Sequence, residues 1–162
     1  MGITPKMNGF VQDTYADFMG YAVNGMLANA SDVNLTDGVF VGDVEKAYAG
    51  RCYGLKDGAL VAVSSDVEPV FVVFEQGAMD SDDTGNYEVG MAKVLRSARV
   101  GGRIWIEVVA KGATVDSSAV LYAGTDGKIT DAAEGTNISA HAKVVGTYTA
   151  TDGKALCLVE VF

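Results

Sequence analysis

Four Asp-Gly pairs, at 37–38, 57–58, 126–127 and 152–153, divide this chain into short pieces. Asp-Gly supplies the positive φ angles of a tight hairpin turn at little steric cost. Around these pairs recur short runs of Val, Ile, Phe and Tyr, residues that suit a pleated, half-buried surface. The runs are Val39–Val44, Ala59–Val63, Val70–Glu75, Tyr87–Leu95, Arg103–Val109, Ala119–Tyr122, Ala142–Ala150 and Ala155–Phe162. Such a pattern predicts a mostly-β fold: a compact antiparallel β-barrel or β-sandwich with tight Asp-Gly hairpins. The clearest hairpin joins Lys143–Ala150 to Ala155–Phe162 through Thr151-Asp152-Gly153-Lys154. Twenty glycines against two prolines, without a strict period, fit many tight turns and not collagen.

Before the first run the pattern changes. Residues 1–34 read as an N-terminal arm or short helical segment, and 35–162 as a β-rich domain. Tyr15, Phe18, Met19, Ala22 and Met26 share one face at the i, i+3, i+4, i+7 spacing of a helix. Thr14 or Asp13 could cap that helix. Gly20 and Gly25 oppose it, each costing about 1 kcal/mol relative to Ala. An extended arm is the competing reading. The stretch Met1 to Met19 lacks a continuous apolar core and carries Asp13 and Asp17, so no secretory signal is expected there. The longest apolar stretch, Val70–Phe74, is far too short to span a bilayer, so no membrane partner is expected.

Two of the runs are apolar on both faces. In Val70–Glu75 one face carries Val70, Val72 and Phe74, and the other Phe71 and Val73. In Ala155–Phe162 one face carries Cys157, Val159 and Val161, and the other Leu156, Leu158 and Phe162. Strands of this kind sit in a sheet covered on both sides. With few helices available, the cover must be another sheet or another subunit. The second option makes the chain a homo-oligomer.

The net charge of −9 repels a phosphate backbone, so nucleic acid is not expected as a partner. Charge is also segregated. From Asp57 to Glu88 there are eight acids and no base, and from Lys93 to Arg103 four bases and no acid. The blocks either face each other or solvate a surface, or else Lys93, Arg96, Arg99 and Arg103 form a docking patch.

The search for catalytic chemistry is nearly empty. His141 is the sole histidine and has no nucleophile motif near it, which favours a structural or solvent-facing role. Neither a P-loop nor a Gly-x-Gly-x-x-Gly at a strand-to-helix junction is present. Cys52 and Cys157 read as buried thiols. Asp80, Asp82, Thr84 and Gly85 match four positions of a calcium loop, but Met91 stands where the closing Glu belongs, so an acidic hairpin loop is the better reading. No catalytic residue, metal ligand or cofactor is expected. Trp105 alternates onto a face with Arg103, Glu107 and Val109, which makes it either an interface anchor or an ordinary Trp half-buried under a loop.

Several of these segments resemble one family. Gly25-Met26-Leu27-Ala28, followed by Val39-Phe40-Val41-Gly42-Asp43-Val44, is similar to the front half of the structural cement, or decoration, proteins of tailed-phage capsids. Arg103-Ile104-Trp105-Ile106-Glu107-Val108 resembles that family's basic-Val-Trp-Val-x-Val strand. The run Ala113 to Gly127 and the closing hairpin Ala142–Phe162 extend the likeness, with Ser117-Ser118 replacing a glycine-containing turn. The resemblance implies a β-rich protein on the outer surface of an icosahedral phage head. Its partner would be the major capsid protein, bridged between neighbouring subunits, and the chain would be an oligomer. It carries no catalytic residues. Tyr15, Phe18, Met26, Lys93, Arg96, Arg99, Arg103 and Trp105 are then the candidate subunit or capsid contacts. The alternatives are another virion component, such as a head fibre base or tail part, and a carbohydrate-binding β-sandwich. The single Trp and scattered tyrosines give the latter no aromatic cluster.

Overall fold

The computed structural model describes residues 23–28, 34–75, 80–81, 86–96, 102–112, 114–149 and 155–162. Among these residues there is no helix. In chain order the strands are β1 (Leu35–Val41), β2 (Ala47–Tyr48), β3 (Cys52–Lys56), β4 (Ala59–Val61), β5 (Glu68–Val72), β6 (Asp80–Ser81) and β7 (Tyr87–Val89). They continue with β8 (Met91–Leu95), β9 (Gly102–Val109), β10 (Val120–Ala123), β11 (Ile129–Thr130), β12 (Ile138–Thr149) and β13 (Ala155–Val161).

The strands close two barrels in tandem. The first runs β1-β4-β3-β5-β8 and the second β10-β11-β9-β13-β12, while β2-β7-β6 form a separate small sheet. The two barrels have the same topology. In each, the first strand pairs in parallel with the third, β1 with β4 and β9 with β11. In each, the second pairs antiparallel with the third and fourth, and the fifth with the fourth and first. Closure of this kind removes the long unpaired edges that an open sheet would present.

Alternation along the strands divides the apolar residues between two cores. Val39, Leu60, Val70, Val72, Ala92 and Val94 fill the first barrel. Ile104, Ile106, Leu121, Ile129, Val144 and Val159 belong to a larger cluster. That cluster also takes Cys52, Phe71, Val73 and Leu95 from the strands of the first barrel. The two-faced strand is thus explained: β5 turns Val70 and Val72 into its own barrel and Phe71 into the second. On β13, Cys157, Val159 and Val161 face inward, while Leu156 and Leu158 pack with Trp105 and Met26. The β5 run and Leu156 of β13 find their cover within the chain, while Phe162, at the end of the second run, stays 48% exposed.

The Asp-Gly pairs meet different fates. Asp57 (φ 52°) and Gly58 (φ 78°) are the two central residues of the β3–β4 hairpin, with Lys56 opposite Ala59, as a type I′ turn requires. Asp126-Gly127 lies in the β10–β11 connection, where Ala123 pairs with Ile129. Asp37-Gly38 departs from expectation: it makes no turn but sits inside β1 at a register shift between Thr36 and Val39. A bulge tolerates the glycine φ of +68° as well as a turn does. Asp152-Gly153 lies outside the described residues, but its flanking strands pair from Ala142–Val161 to Thr149–Ala155, with one register shift between Val144 and Gly146. The run Tyr87–Leu95 is divided at Gly90, with β7 in the small sheet and β8 in the first barrel.

Candidate docking surface

A short strap, turning at Asn24-Gly25 and bridging at Leu27, joins the barrels. Gly25 donates its N–H to the Trp105 carbonyl at 2.7 Å, and the Gly25 carbonyl accepts from Phe74 N–H at 2.8 Å. Trp105 N–H donates to the Met26 carbonyl at 2.8 Å, and Ala28 N–H to the Arg103 carbonyl at 2.9 Å. Leu27 forms an antiparallel bridge with Ile104. The Asn24 side-chain oxygen accepts from Glu107 N–H at 2.8 Å. Glycine at 25 is demanded by a φ of +92° and by the Gly50 nitrogen, 2.6 Å from where a Cβ would stand. The turn of the second barrel also reaches across: Cys52 N–H donates to the Gly127 carbonyl at 2.9 Å.

These contacts place the aromatic that the sequence singled out. Trp105 lies on the outer face of β9 and is buried against Leu156, with Met26 and Leu158 packed around it. The strap is its cover. Of the helical face proposed from spacing, Met26 lies among the described residues, where its N–H closes a turn onto the Val23 carbonyl and no helix forms. Tyr15 and Phe18 lie outside them, as does Arg99.

Two bases of the basic block meet two acids of the acidic block. Arg96 makes a two-pronged pair with Glu68, Nε to one carboxylate oxygen at 3.0 Å and Nη2 to the other at 2.7 Å. Lys93 reaches Glu75 at 3.0 Å and Asp37 at 3.4 Å. Hydrogen bonding to these carboxylates raises the pKa of both bases above its ordinary value. Arg103 pairs with Glu160 of the neighbouring strand at 3.1 Å and keeps a half-exposed side chain. Lys93 and Arg96 therefore sit on the first barrel and Arg103 on the second, beside the strap.

Chemistry-bearing groups stay dispersed. His141 is exposed, at a φ of +49° in a bulge of β12, with its ring 6.2 Å from that of Phe162. Burial pushes the Cys52 thiol up to about 12 and the Cys157 thiol up to about 11. Among the described residues no group of three His, Cys, Asp or Glu is placed to hold a metal ion. Among the described residues there is no helix long and apolar enough to cross a membrane.

The sequence did not single out Phe40 and Met91. They are cross-strand partners on the first barrel, 60% and 54% exposed. The signal was present in β1, since Val39 faces inward and strand alternation then turns Phe40 out.

No family model matches the chain, and no curated protein does. Among solved structures, a chain of the capsid of the Myoviridae phage XM1 is similar to it, with 15% identity and a TM-score of 0.59, covering 85% of this chain and 88% of that one. What the two chains share across nearly their whole length is the fold.

Proposed function

We propose that this chain is a capsid cement, or decoration, protein that binds the outer surface of an icosahedral phage head and bridges major capsid protein subunits. The observation that carries the reading is the fold likeness to a chain of a phage capsid over 85% of the present chain. The sequence resemblance to cement proteins points the same way, and does so independently of the tertiary structure. A cement protein stabilises a head by binding the assembled lattice better than the free subunit. Symmetry-related copies then add avidity. That task needs a stiff body with a large surface, and two closed barrels tied by a strap and a shared core suit it. Of the candidate contacts, Arg103, half-exposed beside the strap, is the described residue best presented to a capsid neighbour. Met26 and Trp105 act through the strap they hold in place.

The test is co-sedimentation of the purified chain with expanded heads of its own virus and with free capsid protein. Binding to heads and not to free subunits is expected. Equal binding to both, or to neither, would sink the proposal. A head fibre base or tail part would bind at isolated vertices, which electron microscopy of the decorated heads would distinguish from a lattice.

A further inference from the structure

The two barrels share one strand order but differ at one edge. In the second, β9 pairs with β11 at Val108 and Val109, and the strap takes the same edge further back, at Arg103 and Trp105. In the first, β1 pairs with β4 at Phe40 and Val41. Leu35–Asp37 is the part of β1 further back along the matching edge, beyond a bulge that β9 does not have. Among the described residues no strand or strap pairs with that edge of β1.

Its hydrogen-bonding groups face outward. The Asn34 carbonyl accepts from Arg96 N–H at 2.8 Å, so Asn34 is turned toward β8. Leu35 and Thr36 stand opposite Leu95 and Val94. Antiparallel alternation then turns Leu35 away from β8 and Thr36 toward it; at the bulge that follows, the Lys93 carbonyl of β8 accepts from Val73 N–H and not from β1, which leaves Asp37 turned away. Asp37 and Gly38 are exposed. Beside this edge lie Phe40 and Met91, the exposed apolar pair. The exposed side chains of Asp37, Asp43 and Asp57 flank Phe40 along the chain and across the β3–β4 turn, whose Gly58 carbonyl accepts from Phe40 N–H. An extended strand fits such an edge, as the strap fits its counterpart. Apolar side chains would cover Phe40 and Met91, and basic ones would answer Asp43 and Asp57, Asp37 being already paired with Lys93.

We propose that the open edge of β1 at Leu35–Asp37 is a strand-addition site that takes an extended, apolar and basic segment of the major capsid protein. The identity of the occupant rests on the cement reading above. The edge itself rests on the duplicated topology.

Two variants at one position test it. Asp37→Ala removes the ion pair with Lys93 and keeps the edge donor. Asp37→Pro removes the donor as well and crowds the edge, a substitution that edge strands tolerate. Co-sedimentation with expanded heads is expected to show Asp37→Ala within about threefold of the native chain and Asp37→Pro about tenfold weaker or worse. Equal binding by the native chain and Asp37→Pro overturns the strand-addition site and leaves the cement reading standing. Failure of the native chain to bind overturns both. Amide exchange in the native chain provides a check that needs no variant to fold. Added heads should slow exchange at Leu35 and Asp37, and unchanged rates there would overturn the site.

Discussion

Gly25 and Trp105 are joined backbone to backbone, the Gly25 N–H donating to the Trp105 carbonyl at 2.7 Å, while the Gly25 carbonyl takes Phe74 N–H from the other barrel at 2.8 Å. One peptide unit on either side of a single glycine therefore holds both barrels. Gly25→Ala is expected to cost about 2 kcal/mol or more, since a left-handed φ of +92° strains any other residue and the new Cβ would meet the Gly50 nitrogen. Gly90→Ala, where a Cβ meets nothing within 4 Å, is the control, with a change within about 0.5 kcal/mol. Urea denaturation of both checks the pair. Equal stabilities would mean that the strap does not tie the barrels.

Phe71 belongs to a strand of the first barrel but is buried in the cluster centred on the second. Phe71→Ala is expected to cost about 3–5 kcal/mol. The shared cluster further implies that the barrels unfold together. Trp105, the one tryptophan, reports on the second barrel by fluorescence, while far-ultraviolet dichroism reports on both. The two curves should coincide in the native chain. Two separated transitions would show that the barrels are energetically independent.

Stability should fall in alkali, and the buried thiols are one reason. Burial raises Cys52 from 9.0 to about 12, so the unfolded chain gives up this proton first. The stabilisation is fully present below pH 9 and is lost as pH rises through the folded value. Between those limits the thiol contributes a slope of about 1.4 kcal/mol per pH unit. Cys52→Ala should flatten the alkaline part of a stability–pH profile by that amount, whatever its constant offset. An unchanged slope would mean that water reaches the thiol.

Arg96 and Glu68 are each roughly a third exposed, at 37% and 34% of the side chain, and their fork geometry is near the best available to a surface pair. A double-mutant cycle with Arg96→Ala and Glu68→Ala should give a coupling below about 1 kcal/mol. At about 1 M salt, where the screening length is about 3 Å, the coupling should shrink. A coupling that survives salt undiminished would contradict the solvent-exposed geometry.

The local chemistry of the chain was enough to set its class and several of its parts. β-branched and aromatic runs that short, with turn residues between them, cannot build long helices, and the all-β fold follows. Asp57-Gly58 forms its turn because φ angles of 52° and 78° are a local demand that Asp-Gly meets cheaply. The two-faced character of Val70–Val73 correctly required a cover on each side. Tertiary structure decided what that cover is. Phe71 could be buried by a neighbouring sheet or by a second subunit, since both exclude water equally well, and only the folded chain puts the second barrel there. The same holds for Asp37-Gly38, where a positive φ suits a bulge as readily as a turn and the pairing of β1 with β8 makes the choice. The parallel pairs β1–β4 and β9–β11 join strands that are not adjacent in the chain, so no local signal announces them, nor the topology the barrels share. Trp105 shows the division most plainly. Alternation put it on the outer face of β9, and the strap from Gly25 to Ala28, a contact made across some eighty residues, buried it there.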